Sequence, residues 1–239
     1  MSATIVFVHG AFNAQRVWGE FPRLIKKEKG FEGFESVFLS HDSTAPTGFF
    51  ASLLGSSSGV TLESIRSDIV RRLGEISKKS DDIYIVAHSL GGVAFRKALG
   101  NLDDDTLGKI RKIIYFDTPD SARELESIST TFGSAEAEEI SASGADVDRA
   151  YEEMLGYKKK MEAETLYISA IYGRDAEDES KAAVYDRYEL MSHRHPDCCR
   201  ADSSGHQAFV ICRRFLTGIE EESATGPKRA KMDKGVKNS

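Results

Sequence analysis

A serine stands in Ala87-His88-Ser89-Leu90-Gly91-Gly92, directly behind the apolar run Ile83-Tyr84-Ile85-Val86. Small residues on both sides let a strand turn at once into a helix and lift one hydroxyl above a sheet edge. The hydroxyl then sits at a helix N-terminus, where negative charge is favoured. It becomes a useful nucleophile only if an imidazole takes its proton and a carboxylate holds that imidazole in the right tautomer. Residues of those types follow in the order Ser, Asp, His. Asp175 lies in Tyr172-Gly173-Arg174-Asp175, after a late apolar run, and His206 lies in Ser203-Ser204-Gly205-His206, before the last apolar periodic segment. Asp178 and Asp117 are alternative carboxylates. His193 and His195 compete for the base role but stand well ahead of that last segment and before Pro196. Upstream, His9-Gly10-Ala11-Phe12 closes the first apolar run with a turn whose N–H groups can face a developing oxyanion, and Leu90, the residue after the serine, can donate its own N–H.

These residues need a frame that brings them to one rim. Thr4 to Val8, Phe34 to Leu39, Ile83 to Val86, Ile113 to Phe116 and Leu166 to Ile171 read as buried strands, with Tyr188 to Met191 as a short last one. Between them, helical spacing predicts a helix over 15–29, closed by Gly30, and a second with Leu62, Ile65, Ile69, Leu73 and Ile76 on one face, begun by Thr61 or Ser58. Further helices are predicted to Leu99 after the serine, over 147–160 and over 207–216. Strand–helix alternation of this kind implies an α/β fold with a mostly parallel sheet covered by helices on both faces. In such a sheet, ligands bind at the carboxyl ends of the strands, where the Gly, Ser and Asp residues above fall.

The bulk properties fit this frame. A chain of 239 residues suits one sizeable α/β domain, and a net charge of −6 argues against nucleic acid as a partner. No apolar run has the length of a membrane span. The start, Met1-Ser2-Ala3-Thr4, enters a strand without a leader pattern, so a cytoplasmic location is expected. Cys198, Cys199 and Cys212 match neither a disulfide framework nor a zinc spacing and read as buried or free thiols; no metal is expected. From Ser223 the chain is polar and basic without periodicity. The stretch 221–239 therefore reads as a disordered tail, with Pro227-Lys228-Arg229-Ala230-Lys231 better explained as solvated chain than as a nuclear address.

On Phe7-Val8-His9-Gly10-Ala11-Phe12, the serine hexapeptide, Asp117-Thr118-Pro119, Gly173-Arg174-Asp175 and Gly205-His206, the chain resembles the α/β-hydrolase superfamily over nearly all of residues 3–217. It looks like the small esterases and lipases that lack the two leading antiparallel strands. Ala87 stands where the G-x-S-x-G motif has its first glycine. The resemblance implies Ser89 as nucleophile, His206 as base and Asp175 as acid, with the N–H groups of Ala11 and Leu90, or Phe12 in place of Ala11, as oxyanion hole. It further implies a small-molecule ester substrate, acyl lipids included, and no cofactor. Residues 1–220 are then one hydrolase domain, with 121–164 in the place of a cap or lid. Phe49, Phe50, Leu53 and Leu54 form an apolar island suited to an acyl pocket or lid, and equally to a satellite core. A non-catalytic binding module on this fold, and a thioesterase or lyase using the same triad, are the competing readings.

Overall fold

The structure is a computed structural model, and it describes residues 2–9, 17–39, 62–129, 144–158, 160–170, 185–191, 193 and 197–219. Six strands form one sheet: β1 (Ala3–Val8), β2 (Phe34–Leu39), β3 (Asp82–His88), β4 (Ile110–Phe116), β5 (Glu164–Ala170) and β6 (Arg187–Met191). Their order is β2-β1-β3-β4-β5-β6, and every neighbouring pair is parallel. Parallel pairs need crossovers, and described helices lie in the connections from β1 to β2, β2 to β3, β3 to β4 and β4 to β5.

Alternate strand residues face opposite layers, so both sheet faces are apolar. Val6, Val8, Ile83, Ile85, Ile113 and Tyr115 join one core. Helices α2 (Leu62–Ser77), α3 (Leu90–Leu99), α5 (Ala122–Ser129) and α6 (Gly144–Lys158) contribute buried residues to it. Ile5, Phe7, Val86, Ile114 and Phe116 face a second core under α1 (Phe21–Lys27) and α7 (Gln207–Thr217), with Trp18 fully buried between. On α2 the predicted stripe is buried through Leu62, Ile65, Ile69 and Leu73, while Arg71 and Arg72 pair with Asp68 on the outer face.

Several details depart from the expected elements, α5 among them, since no helix is predicted over 122–129. The helix predicted over 15–29 is interrupted: Gly19 bridges in parallel to Ala201, the helix resumes at Phe21 with Pro22 in its first turn, and Glu28 caps its end. Gly30 lies instead in the short 3-10 turn Lys29–Phe31. An unpredicted helix, α4 (Asp104–Lys109), precedes β4; Asp103 caps it, its carboxylate accepting from the Thr106 N–H at 2.7 Å. The helical part of 121–164 packs on the sheet layer, with Val147, Ala150 and Met154 of α6 in the first core; 130–143 lies outside the described residues. So do 40–61, with the apolar island, and the tail from 220. Among the described residues no helix is long and apolar enough to cross a membrane.

Starting from β1, the chain first moves to one side, to β2, and then returns to the other, to β3. The reversal falls between β1 and β3, and the crevice at such a point is where open α/β sheets bind ligands.

Candidate active site

Ser89 stands at that reversal. Its backbone has φ +53° and ψ −132°, a region that residues with a side chain rarely occupy and that costs about 1–3 kcal/mol. Two bonds hold it there: the Ser89 N–H donates to the Phe116 carbonyl at 3.0 Å, and the Gly92 N–H donates to the Ser89 carbonyl at 2.9 Å. The chain thus stays paired with β4 up to the serine and enters α3 on the next residue. The same arrangement explains the glycines. A Cβ on Gly91 would lie 2.5 Å from the carbonyl carbon and oxygen of His9, and one on Gly92 would lie 2.2 Å from Thr118 Oγ1. Helix α3 is pressed against the ends of β1 and β4 at once. Gly91→Ala must therefore displace the His9 backbone, and we expect a loss of about 1–3 kcal/mol in a denaturant titration together with reduced turnover. An unchanged midpoint would show that the close approach is not tight.

Register brings the end of β1 to the same place. Val8 pairs with Ala87, so His9 emerges level with His88, the residue before the serine. Leu90 is the first residue of α3, and its N–H is one that no intrahelical carbonyl can reach. Ala11 and Phe12, the expected second donors, lie outside the described residues.

His206 is the N-cap of α7, its Nδ1 accepting from the Ala208 N–H at 3.2 Å. The ring is half-buried and lies 4.7 Å from the ring of His193. With Glu20, Asp197, Arg200 and Asp202 these two histidines line a cleft of about 430 Å³. Burial, and then the neighbouring His193, hold the His206 pKa below the usual imidazole value, with Asp202 opposing. The ring is therefore neutral at pH 7, as a base must be. Its Nδ1 is an acceptor here, so a neutral ring carries its proton on Nε2. Base catalysis needs the other tautomer, with Nδ1–H on a carboxylate and the Nε2 lone pair toward the serine. The capping bond must yield to a carboxylate for that.

Asp175 and Asp178 lie outside the described residues. Asp117 is buried at the end of β4, with φ +42°. Asp202, whose charge acts on His206, was not singled out by the sequence; its only signal is a place four residues before the histidine. The sequence also gave no warning of the network that fixes the loop after β4. Arg96 of α3, fully buried, donates to the Pro119 carbonyl at 2.8 Å and to Asp120 Oδ1 at 2.6 Å, and Tyr185 donates to the same carboxylate at 2.6 Å. Tyr167 donates to the Thr118 carbonyl at 2.8 Å. Helix α3 and the Asp117-Thr118-Pro119 turn are thus tied together by a buried ion pair.

Comparison with known proteins places this frame. No family model and no curated protein matches the chain. Solved structures do. One of the two metagenome-derived lipolytic enzymes LipS and LipT is 12% identical with a TM-score of 0.60, over 90% of this chain and 92% of that one. AqDC, which recognises and ring-cleaves the Pseudomonas quinolone signal, is 13% identical with a TM-score of 0.58, over 92% and 93%. A peroxisomal α/β-hydrolase of Saccharomyces cerevisiae is 14% identical with a TM-score of 0.56, over 97% and 81%. Identities this low speak for a shared fold.

Proposed function

The chain has the α/β-hydrolase fold, and on that frame we propose that it is a serine hydrolase of carboxylic esters. The observation that carries the reading is the strained backbone of Ser89, which holds this residue at the reversal between β1 and β3. His206 takes the Ser89 proton as the hydroxyl attacks the carbonyl. Asp175 orients the imidazole and balances its charge. The N–H groups of Leu90 and of Ala11 or Phe12 hold the tetrahedral oxyanion. The protonated imidazole then gives its proton to the leaving alcohol, and water clears the acyl-enzyme with His206 as base again. Phe49, Phe50 and Leu53 supply the apolar surface for the acyl chain. The chemistry requires no cofactor.

Hydrolysis of a series of nitrophenyl esters of increasing acyl length tests the substrate class. We expect turnover that varies with chain length. A flat or absent response would move the reading to thioesters, to carbon–carbon cleavage or to a binding module.

The pH profile tests the base. Burial disfavours the imidazolium of His206, so its neutral form persists below the ordinary imidazole pKa of about 6.5. The kcat/KM of the free enzyme should therefore rise through an apparent pKa below that value and stay level from neutral to mildly alkaline pH. A rise centred above it would contradict the assignment. So would His206→Ala retaining near-wild-type turnover.

A further inference from the structure

Directly behind Ser89, on the other side of the sheet from α3, a histidine and two cysteines converge. One ligand atom each from His88, Cys198 and Cys199 lies within 4.8 Å of the others, and all three side chains are buried. The cysteines come from a turn, closed by the Arg200 N–H donating to the Asp197 carbonyl at 3.0 Å, in which they hold the two central positions. Such positions normally carry polar residues that face water. Here both thiols point inward: Cys199 donates to the Val17 carbonyl at 3.5 Å, and Cys198 is fully buried beside His88. The turn is pinned to the first helical segment by the Gly19–Ala201 bridge and by the Glu20 N–H donating to the Ala201 carbonyl at 2.7 Å.

We propose that His88, Cys198 and Cys199 form a buried site for a thiophilic divalent cation, zinc by its chemistry. Zinc–sulfur bonds of about 2.3 Å and zinc–nitrogen bonds of about 2.0–2.1 Å bring tetrahedral ligand atoms to within about 3.3–3.8 Å of one another. The observed cluster reaches that spacing by contracting less than about 1.5 Å. Charge selects the ion. Two thiolates and a neutral imidazole around a divalent cation sum to zero, the condition for a site out of water, whereas a monovalent ion would leave a buried anion. Two soft sulfurs and one imidazole favour zinc over the hard cations magnesium and calcium. Three protein ligands leave the fourth position to a water. Loading exchanges two thiol protons for the ion, so binding releases protons and strengthens as pH rises. The ion would tie the residue before the nucleophile to the segment 197–206 that leads into His206.

The test uses the full chain, reduced, stripped with a chelator and titrated with cobalt(II) as a spectroscopic stand-in. The expected result is one equivalent bound, with thiolate-to-cobalt charge-transfer bands in the near ultraviolet that one equivalent of zinc removes. Cys198→Ser and Cys199→Ser should each weaken cobalt binding by more than about 100-fold, beyond the usual effect of losing a partner outside the ligand set. His193→Ala, on the surface cleft, should leave the bands intact. X-ray absorption on the zinc-loaded wild type keeps the test open if a cysteine variant fails to fold: two sulfur scatterers support the site. A nitrogen and oxygen shell alone, or no charge-transfer band in the wild type, overturns it. None of these readouts is ester turnover, so the hydrolase reading stands or falls separately.

Discussion

Ser89→Ala should lower kcat/KM toward nitrophenyl esters by about 10⁴-fold or more and abolish labelling by a fluorophosphonate, with the fold unchanged. The magnitude follows from the proposed role: without the nucleophile, only oxyanion donors and binding would remain to accelerate the reaction. Residual activity within about tenfold of wild type would remove Ser89 from the chemistry. Stability gives a second, independent reading of the same residue. A side chain at φ +53° and ψ −132° stores about 1–3 kcal/mol, which glycine does not incur, while glycine costs about 0.5–1 kcal/mol through its freer unfolded chain. Ser89→Gly should therefore fold about 1 kcal/mol more stably, roughly 2–4 °C in Tm, while being as inactive as the alanine variant. A Tm that falls would mean that the strain is relieved elsewhere.

Asp120→Ala should be the most destabilising single change in the loop after β4. Arg96 is fully buried, and its guanidinium lies 4.6 Å from the centre of the Tyr115 ring as well as beside Asp120 and Tyr185. Burial acts to strip its proton, but Tyr185 and Asp120 outweigh that, and the group stays charged. Removing the carboxylate leaves a cation in the core without its counter-charge, a loss of about 3–5 kcal/mol. That is a large share of the roughly 5–15 kcal/mol that holds a domain folded. The corresponding fall in Tm is about 10 °C. Turnover should fall too at temperatures where the variant is folded, because Arg96 joins α3, which starts directly after Ser89, to the turn carrying Asp117 and Thr118. Arg96→Met combined with Asp120→Leu separates charge from packing: if the penalty is an unpaired charge, the double variant recovers much of the stability. A double variant as unstable as Asp120→Ala would assign the loss to packing instead.

Where the sequence was legible, local physics was enough. Leu62, Ile65, Ile69 and Leu73 repeat at helical spacing, and they are the buried stripe of α2. The β-branched runs before His9, Ser89 and Asp117 could only be buried strands, and they are β1, β3 and β4. It was less legible wherever a distant residue decides the backbone. The helix expected from 15 to 29 has continuous apolar spacing, but Gly19 pairs with Ala201, far along the chain, and that pairing breaks it. Asp103 and Thr106 carried a capping signal for α4, too short to stand out without the core it covers.

For the candidate site, the residue types and order of Ser89, Asp175 and His206, and the smallness of Gly91 and Gly92, are properties of the chain alone. They set which chemistry is available, because a nucleophile, a base and a tight turn are each made by local covalent structure. What surrounds those residues was decided by the fold. Parallel register sets His9 level with His88, the close approach of α3 to β1 and β4 excludes side chains at Gly91 and Gly92, and Arg96 meets Asp120 and Tyr185 in the core. His206 meets His193 and Asp202 in its cleft, and His88 meets Cys198 and Cys199. Desolvation, charge pairing and contact at a few ångströms depend on distance in space. The order of residues along the chain does not contain that distance until the sheet has formed.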